Sequence, residues 1–151
     1  MTADLTLTIT RFIAAPPEAV WQAYVARTTE WFTPRPWTTP RVDFDLRAGG
    51  RANVTMRSPE GDEFSYEGVF LEVVPGHKLV STGAMTEGWV PAAGDMHFVR
   101  IDSFEPEGDG TRYTAQARHW TAAAAEQHRA MGFEGGWAAA ADQLAAIAEE
   151  G

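Results

Sequence analysis

Hydrophobic positions along this chain switch between strand and helix spacing, and the switches mark out its elements. Leu5, Leu7 and Ile9 alternate with Thr6, Thr8 and Thr10, which predicts a half-buried strand rich in β-favouring threonine. Ala15-Pro16-Pro17-Glu18 opens a helix, because proline suits a first helical turn and an acidic residue complements the positive helix end. Val20, Trp21, Tyr24 and Val25 form its buried side, and a second short helix is expected from about Thr28 to Phe32. Pro34, Pro36 and Pro40 then argue against regular structure. From residue 41 the period is two: Ala52, Val54 and Met56 alternate with polar neighbours up to the turn Ser58–Asp62. The return strand Glu63–Val74 carries Phe64 and Tyr66 in phase, and its pattern blurs past Gly68, as at a bulge or bend. Pro75-Gly76 turns the chain into a strand from Lys78 to Thr82. A looser stretch from Gly83 to Gly94 follows, and strands Met96–Glu105 and Thr111–Trp120 flank the turn Pro106–Gly110.

Thr121 to Glu150 reads as one alanine-rich amphipathic helix, with Phe133, Trp137, Ala140, Ala141, Leu144, Ile147 and Ala148 as its apolar stripe. Gly132, Gly135 and Gly136 interrupt it, each at a cost of about 0.8–1.0 kcal/mol relative to alanine. Such glycines imply a bend, or a close approach to a sheet or ligand. Hairpin-linked strands form a meander that buries one face, and the long helix supplies the opposing layer. The expected architecture is therefore α+β. Two short helices follow the first strand, and an antiparallel sheet of about six to seven strands packs on a C-terminal helix in a single domain, residues 1–151.

Charge narrows the possible partners. A net charge of -9 and a pI near 4.8 argue against nucleic acid and against anionic membrane surfaces, both of which attract clustered Lys and Arg. The absence of cysteine removes disulfides, thiol nucleophiles and Cys-ligated zinc. The N-terminal MTADLTLTIT has neither the basic nor the apolar region of a signal peptide, and no apolar run nears the roughly 20 residues of a membrane span. A cytoplasmic domain is expected.

Candidate chemistry concentrates in histidines and aromatics. If Glu105 pairs with Thr111, His97 faces His119 across the hairpin. Both share a parity with Val99, Ile101, Tyr113, Ala115 and Ala117, while Arg100, Asp102, Arg112 and Arg118 fall on the parity that suits water. Two inward imidazoles would offer ligand hydrogen bonds or proton transfer, or would sit at a sheet margin bonded to water or backbone. No HxxxH or HExxH spacing supports a metal site, and Asp95-x-His97 is too common a pair to carry one. No GxSxG elbow or phosphate-binding glycine pattern is present. No catalytic residue, metal or cofactor is assigned. Six tryptophans stand out. Trp31 and Trp37 flank the proline-rich loop and Trp89 lies in the loose stretch, so these three would border an entrance, or in the first two cases dock a protein. Met56, Tyr66, Phe70, Phe133 and Trp137 would line the space between sheet and helix, with His97 or His119 as polar contacts.

Ordered phrases along the chain resemble the START-like (SRPBCC, helix-grip) superfamily and, within it, the family named after the activator of the heat-shock chaperone ATPase. They are Arg11-Phe12-Ile13-Ala14-Ala15-Pro16 before Val20-Trp21, then Trp31-Phe32, Asp45-Leu46-Arg47-Ala48-Gly49-Gly50 and Glu72-Val73-Val74-Pro75-Gly76-His77-Lys78-Leu79-Val80. Gly110-Thr111-Arg112 and Met131-Gly132-Phe133 leading to Gly136-Trp137 and Leu144 complete the set. The resemblance implies a strongly curved sheet wrapped around the C-terminal helix with an apolar cavity between them. It also implies relatives that range from lipid and hormone carriers through polyketide cyclase-like proteins to co-chaperones. Fold transfers better than function across such a group. The leading expectation is a binding module for a small hydrophobic molecule, as a monomer or homodimer. The alternatives are a co-chaperone that binds a heat-shock ATPase, and a cyclase or dehydratase using His97 and His119.

Overall fold

The computed structural model describes residues 5–94 and 97–150. Strand β1 (Thr6–Ile13) leads into helix α1 (Pro17–Ala26) and the one-turn α2 (Thr28–Trp31). Strands β2 (Thr38–Phe44), β3 (Ala52–Arg57) and β4 (Glu63–Tyr66) form a meander, and β5 (Val69–Val74) and β6 (Lys78–Thr82) a hairpin. Two short strands, β7 (Met85–Thr86) and β8 (Val90–Pro91), pair in the following loop. The long hairpin of β9 (Phe98–Glu107) and β10 (Gly110–His119) precedes helices α3 (Ala122–Ala130) and α4 (Phe133–Glu150). Met96, expected to begin a strand, and Asp95 lie outside the described residues.

The strands pair antiparallel in the orders β1-β10-β9-β6-β5 and β2-β3-β4. The two sheets meet where Arg51 bridges Val69, where the Ala52 N–H donates to Gly68 O at 3.0 Å, and where the Phe70 N–H donates to Gly50 O at 3.0 Å. Gly68 stands at the bend between β4 and β5. A Cβ there would fall 2.6 Å from the Thr82 carbonyl oxygen, so only glycine fits. Pro40, expected to interrupt structure, lies within β2. It is tolerated because β2 is an edge strand whose register shifts between Thr38 and Arg41.

Helix α4 packs on β1, α1 and α2 through buried Phe133, Ala140, Ala141, Leu144, Ala145 and Ala148. Trp137 and Ile147 of the predicted stripe are partly buried against the same core. Thr121 caps α3 by accepting the Ala124 N–H at 3.0 Å. The single helix expected from Thr121 to Glu150 is in fact two. Gly132 adopts φ +96°, and this left-handed residue ends α3. A Cβ on Gly135 or Gly136 would meet nothing within 4 Å, so close packing against the sheet requires neither glycine.

The β9–β10 hairpin also departs from expectation. Its turn is the pair Gly108-Asp109, with Glu107 opposite Gly110 and Arg112 rather than Thr111 opposite Glu105. Gly108, at φ +58°, supplies the positive dihedral such a tight turn requires. The register moves by one residue, so Phe98 and not His97 lies opposite His119. The predicted inward face of β10 is correct: Tyr113, Ala115, Ala117 and His119 are all buried. The face of β9 is reversed. Phe104 and Asp102 are buried to 1% exposure, with Arg100 on the same side.

Candidate functional site

Between the curved sheet and the C-terminal helices lies a cavity of about 240 Å³. Its walls come from helices and strands far apart in the chain: Tyr24 of α1, Phe32 after α2, Phe44 of β2, Met56 of β3, Tyr66 of β4, Phe70 of β5, Phe98 of β9 and Trp137 of α4. Ser81, Arg100 and His128 add polar groups. A second cavity of about 250 Å³ adjoins it toward the α3–α4 junction and shares Phe32, Met56, Arg100, His128 and Trp137. The alternating side chains of β9 bring Arg100 to this wall and Asp102 beneath it.

Asp102 is the most deeply buried charge of the site, and four donors satisfy it. The Tyr24 hydroxyl donates to Oδ2 at 2.8 Å and the Tyr113 hydroxyl to Oδ1 at 2.6 Å. Arg100 donates through Nε to Oδ2 at 2.9 Å and through Nη2 to Oδ1 at 3.2 Å. A buried ion pair holds only with such saturation, because desolvation of each charge costs several kcal/mol. Burial, with the neighbouring Asp102 charge, pushes the Tyr24 and Tyr113 phenols well up, so both stay protonated donors. For Arg100 burial opposes the charge, but Asp102, Tyr24 and Tyr113 together outweigh it and hold the guanidinium ionised. That guanidinium lies 4.2 Å from the Trp137 ring centre and 5.0 Å from that of Phe32, a cation–π arrangement in which the aromatics replace water.

A histidine pair borders the site. His119 Nε2 is 2.9 Å from His128 Nδ1, and His119 Nδ1 is 3.2 Å from Leu5 O. A carbonyl only accepts, so His119 carries its proton on Nδ1 and in the neutral pair His128 Nδ1 donates to His119 Nε2. Burial first, then His119 and Arg100, lower the His128 pKa to about 4.

The residues expected from sequence separate into groups. Met56, Tyr66, Phe70 and Trp137 line the first cavity, and Phe133 and Trp31 the second. Trp31 is no entrance residue. It is 1% exposed, 4.6 Å from Tyr24 between ring centres, and its Nε1 donates to Tyr24 O. Trp37 packs on Phe64 at the surface, and Trp89 lies half exposed over Gly49. Trp37, Trp89, His97 and His119 line neither cavity. His97 instead places Nε2 3.0 Å from Ala93 O. Sequence reasoning missed Arg100, Asp102 and His128. The available signal was Arg100-x-Asp102 on a strand rich in apolar residues, where alternation puts both charges on one face. Among the described residues no cluster of three or more metal-ligating side chains forms, and no helix is long and apolar enough to cross a membrane.

A curved antiparallel sheet wrapped around a C-terminal helix places this protein in the helix-grip, START-like class of α+β domains. The chain belongs to the family described as Activator of Hsp90 ATPase homolog 1-like protein, whose model matches residues 14–149. The family is consistent with a ligand-binding fold. A solved protein from Nitrosomonas europaea is 34% identical, with a TM-score of 0.93 over 99% of this chain and 97% of its own. One from Mycobacterium smegmatis is 29% identical, with a TM-score of 0.79 over 95% and 90%. A Silicibacter pomeroyi protein of the family, 22% identical with a TM-score of 0.72 over 97% and 99%, shares the fold. Comparison with curated proteins gave no match.

Proposed function

We propose that this protein binds a small hydrophobic molecule in the cavity between the curved sheet and α4. The observation that carries the reading is a cavity of about 240 Å³ walled by aromatic side chains from both layers. Its size is slightly below the ~300–1,000 Å³ usual for ligand pockets, which suits a molecule of one or two rings. Burial of apolar ligand surface would contribute about 25 cal/mol per Å² before the cost of association. Affinity would follow shape more than any single contact. The family's name points to a chaperone ATPase as partner, and the cavity is what favours the ligand reading over it. The enzyme alternative needed His97 and His119 as a facing acid–base pair, and the hairpin register separates them.

Native mass spectrometry of freshly purified protein, with displacement of a lipophilic dye, tests the proposal. A co-purifying small molecule, or dye displaced by apolar competitors, supports it. Absence of both, with dye failing to bind, overturns it.

A further inference from the structure

The polar groups of the cavity gather at one corner. Arg100 on β9 and Ser81 on β6 are direct partners in the sheet register, so their side chains stand on one face, and both line the cavity. The Tyr66 hydroxyl is beside them: a Cβ on Gly83, two residues beyond Ser81, would fall 2.5 Å from it. The Gly83 N–H donates to that hydroxyl, and the Arg100 charge acts on it.

A count of hydrogens shows what this corner lacks. A guanidinium carries five N–H donors. Asp102 takes one from Nε and one from Nη2, and the Tyr24 hydroxyl also accepts from the guanidinium, so only part of the set remains. Trp137 and Phe32 contact the guanidinium without accepting a hydrogen bond in its plane. Arg100 lines both cavities, so its remaining donors are open to an occupant. The Tyr66 hydroxyl accepts from Gly83, which leaves its own hydrogen to give. The corner is rich in donors, and its neighbouring acceptor is His97 Nδ1 beside Gly83.

Charge selects the kind of acceptor. Asp102 already neutralises Arg100, so an ionised ligand would leave an uncompensated negative charge in a low-dielectric cavity. A neutral oxygen adds no such cost and can take two or three of the donors.

We infer that the occupant is an apolar molecule of one or two rings bearing a neutral carbonyl oxygen, held at the corner formed by Arg100, Tyr66 and Ser81. This rests on the hydrophobic-ligand reading above and adds the chemistry of the ligand's polar end.

Three probes of matched shape test it by calorimetric titration of the intact protein: 2-ethylnaphthalene, 2-acetylnaphthalene and 2-naphthoate. The ketone is expected to bind about tenfold tighter than the ethyl compound, the scale of a hydrogen bond to a charged donor, and tighter than the carboxylate. Arg100→Lys retains a cation for Asp102 but loses the spare Nη donors. It should reduce the ketone's advantage over the ethyl compound to about twofold. Tyr66→Phe, which keeps the ring, should reduce that advantage by about threefold and serves if the lysine variant does not fold. Equal binding of ketone and ethyl compound overturns the carbonyl inference and leaves the hydrophobic-ligand reading standing. Tightest binding of the carboxylate overturns the choice of a neutral oxygen. Failure of all three probes to bind overturns both readings.

Discussion

Arg100 holds the Asp102 carboxylate from two positions away on the same strand, through Nε at 2.9 Å and Nη2 at 3.2 Å. The spacing places both charges on the inner face of β9, where the tyrosines of α1 and β10 complete the carboxylate's hydrogen bonds. Removing one member strands the other. Arg100→Met should cost about 3–5 kcal/mol, the penalty for an uncompensated buried charge. The double variant Arg100→Met/Asp102→Leu should recover part of that loss. Urea denaturation of the set checks both, and a single variant with wild-type stability would contradict the buried-pair account.

Tyr113→Phe removes one hydrogen bond to a buried carboxylate and should cost about 1.5–3 kcal/mol. Tyr24→Phe should cost a similar amount. Because both hydroxyls serve Asp102, the double variant should depart from additivity by at least about 0.5 kcal/mol. Equilibrium unfolding of the four proteins measures that coupling.

His128 sets an acid limit. Its folded pKa of about 4 lies below the ordinary value near 6.5, so between these pH values the unfolded chain binds more protons. The contribution is complete above about pH 6.5 and is lost as pH falls toward 4. His119 and Arg100 are the ionisable groups that act on it. Urea midpoints of wild type and His128→Gln should therefore converge on acidification across that window. Nuclear magnetic resonance titration of the ring should place its midpoint well below 6. Parallel pH profiles would exclude the effect.

The glycines of the C-terminal region should behave oppositely. Gly132→Ala forces a side chain into φ +96° and should cost about 1 kcal/mol or more. Gly135→Ala meets open space inside a helix and should stabilise by about 0.5–1 kcal/mol. Thermal melts of the two variants separate the roles. A common direction of shift would show that the break at Gly132 does not distinguish them.

Elements whose geometry depends on near neighbours were legible in the sequence. Alternation marked β1, β3 and the inner face of β10. The period of 3.6 found the buried stripe of α4, and Gly68 marked the bend. The curved sheet around a C-terminal helix followed from the order of these elements and from the resemblance. The hairpin register was not legible, because Pro106–Gly110 reads as one broad turn whereas the chain turns on Gly108-Asp109 alone. That single residue reversed the face assigned to β9 and separated His97 from His119.

What the sequence determined by itself is therefore the layer architecture, since strand and helix periodicity are local properties of the chain. The site was decided by tertiary structure. Arg100 and Asp102 read as surface charges until Tyr24, Tyr113, Phe32 and Trp137 close around them. Burial of a charge is favourable only when partners from several distant segments satisfy it together, and no local pattern records that meeting.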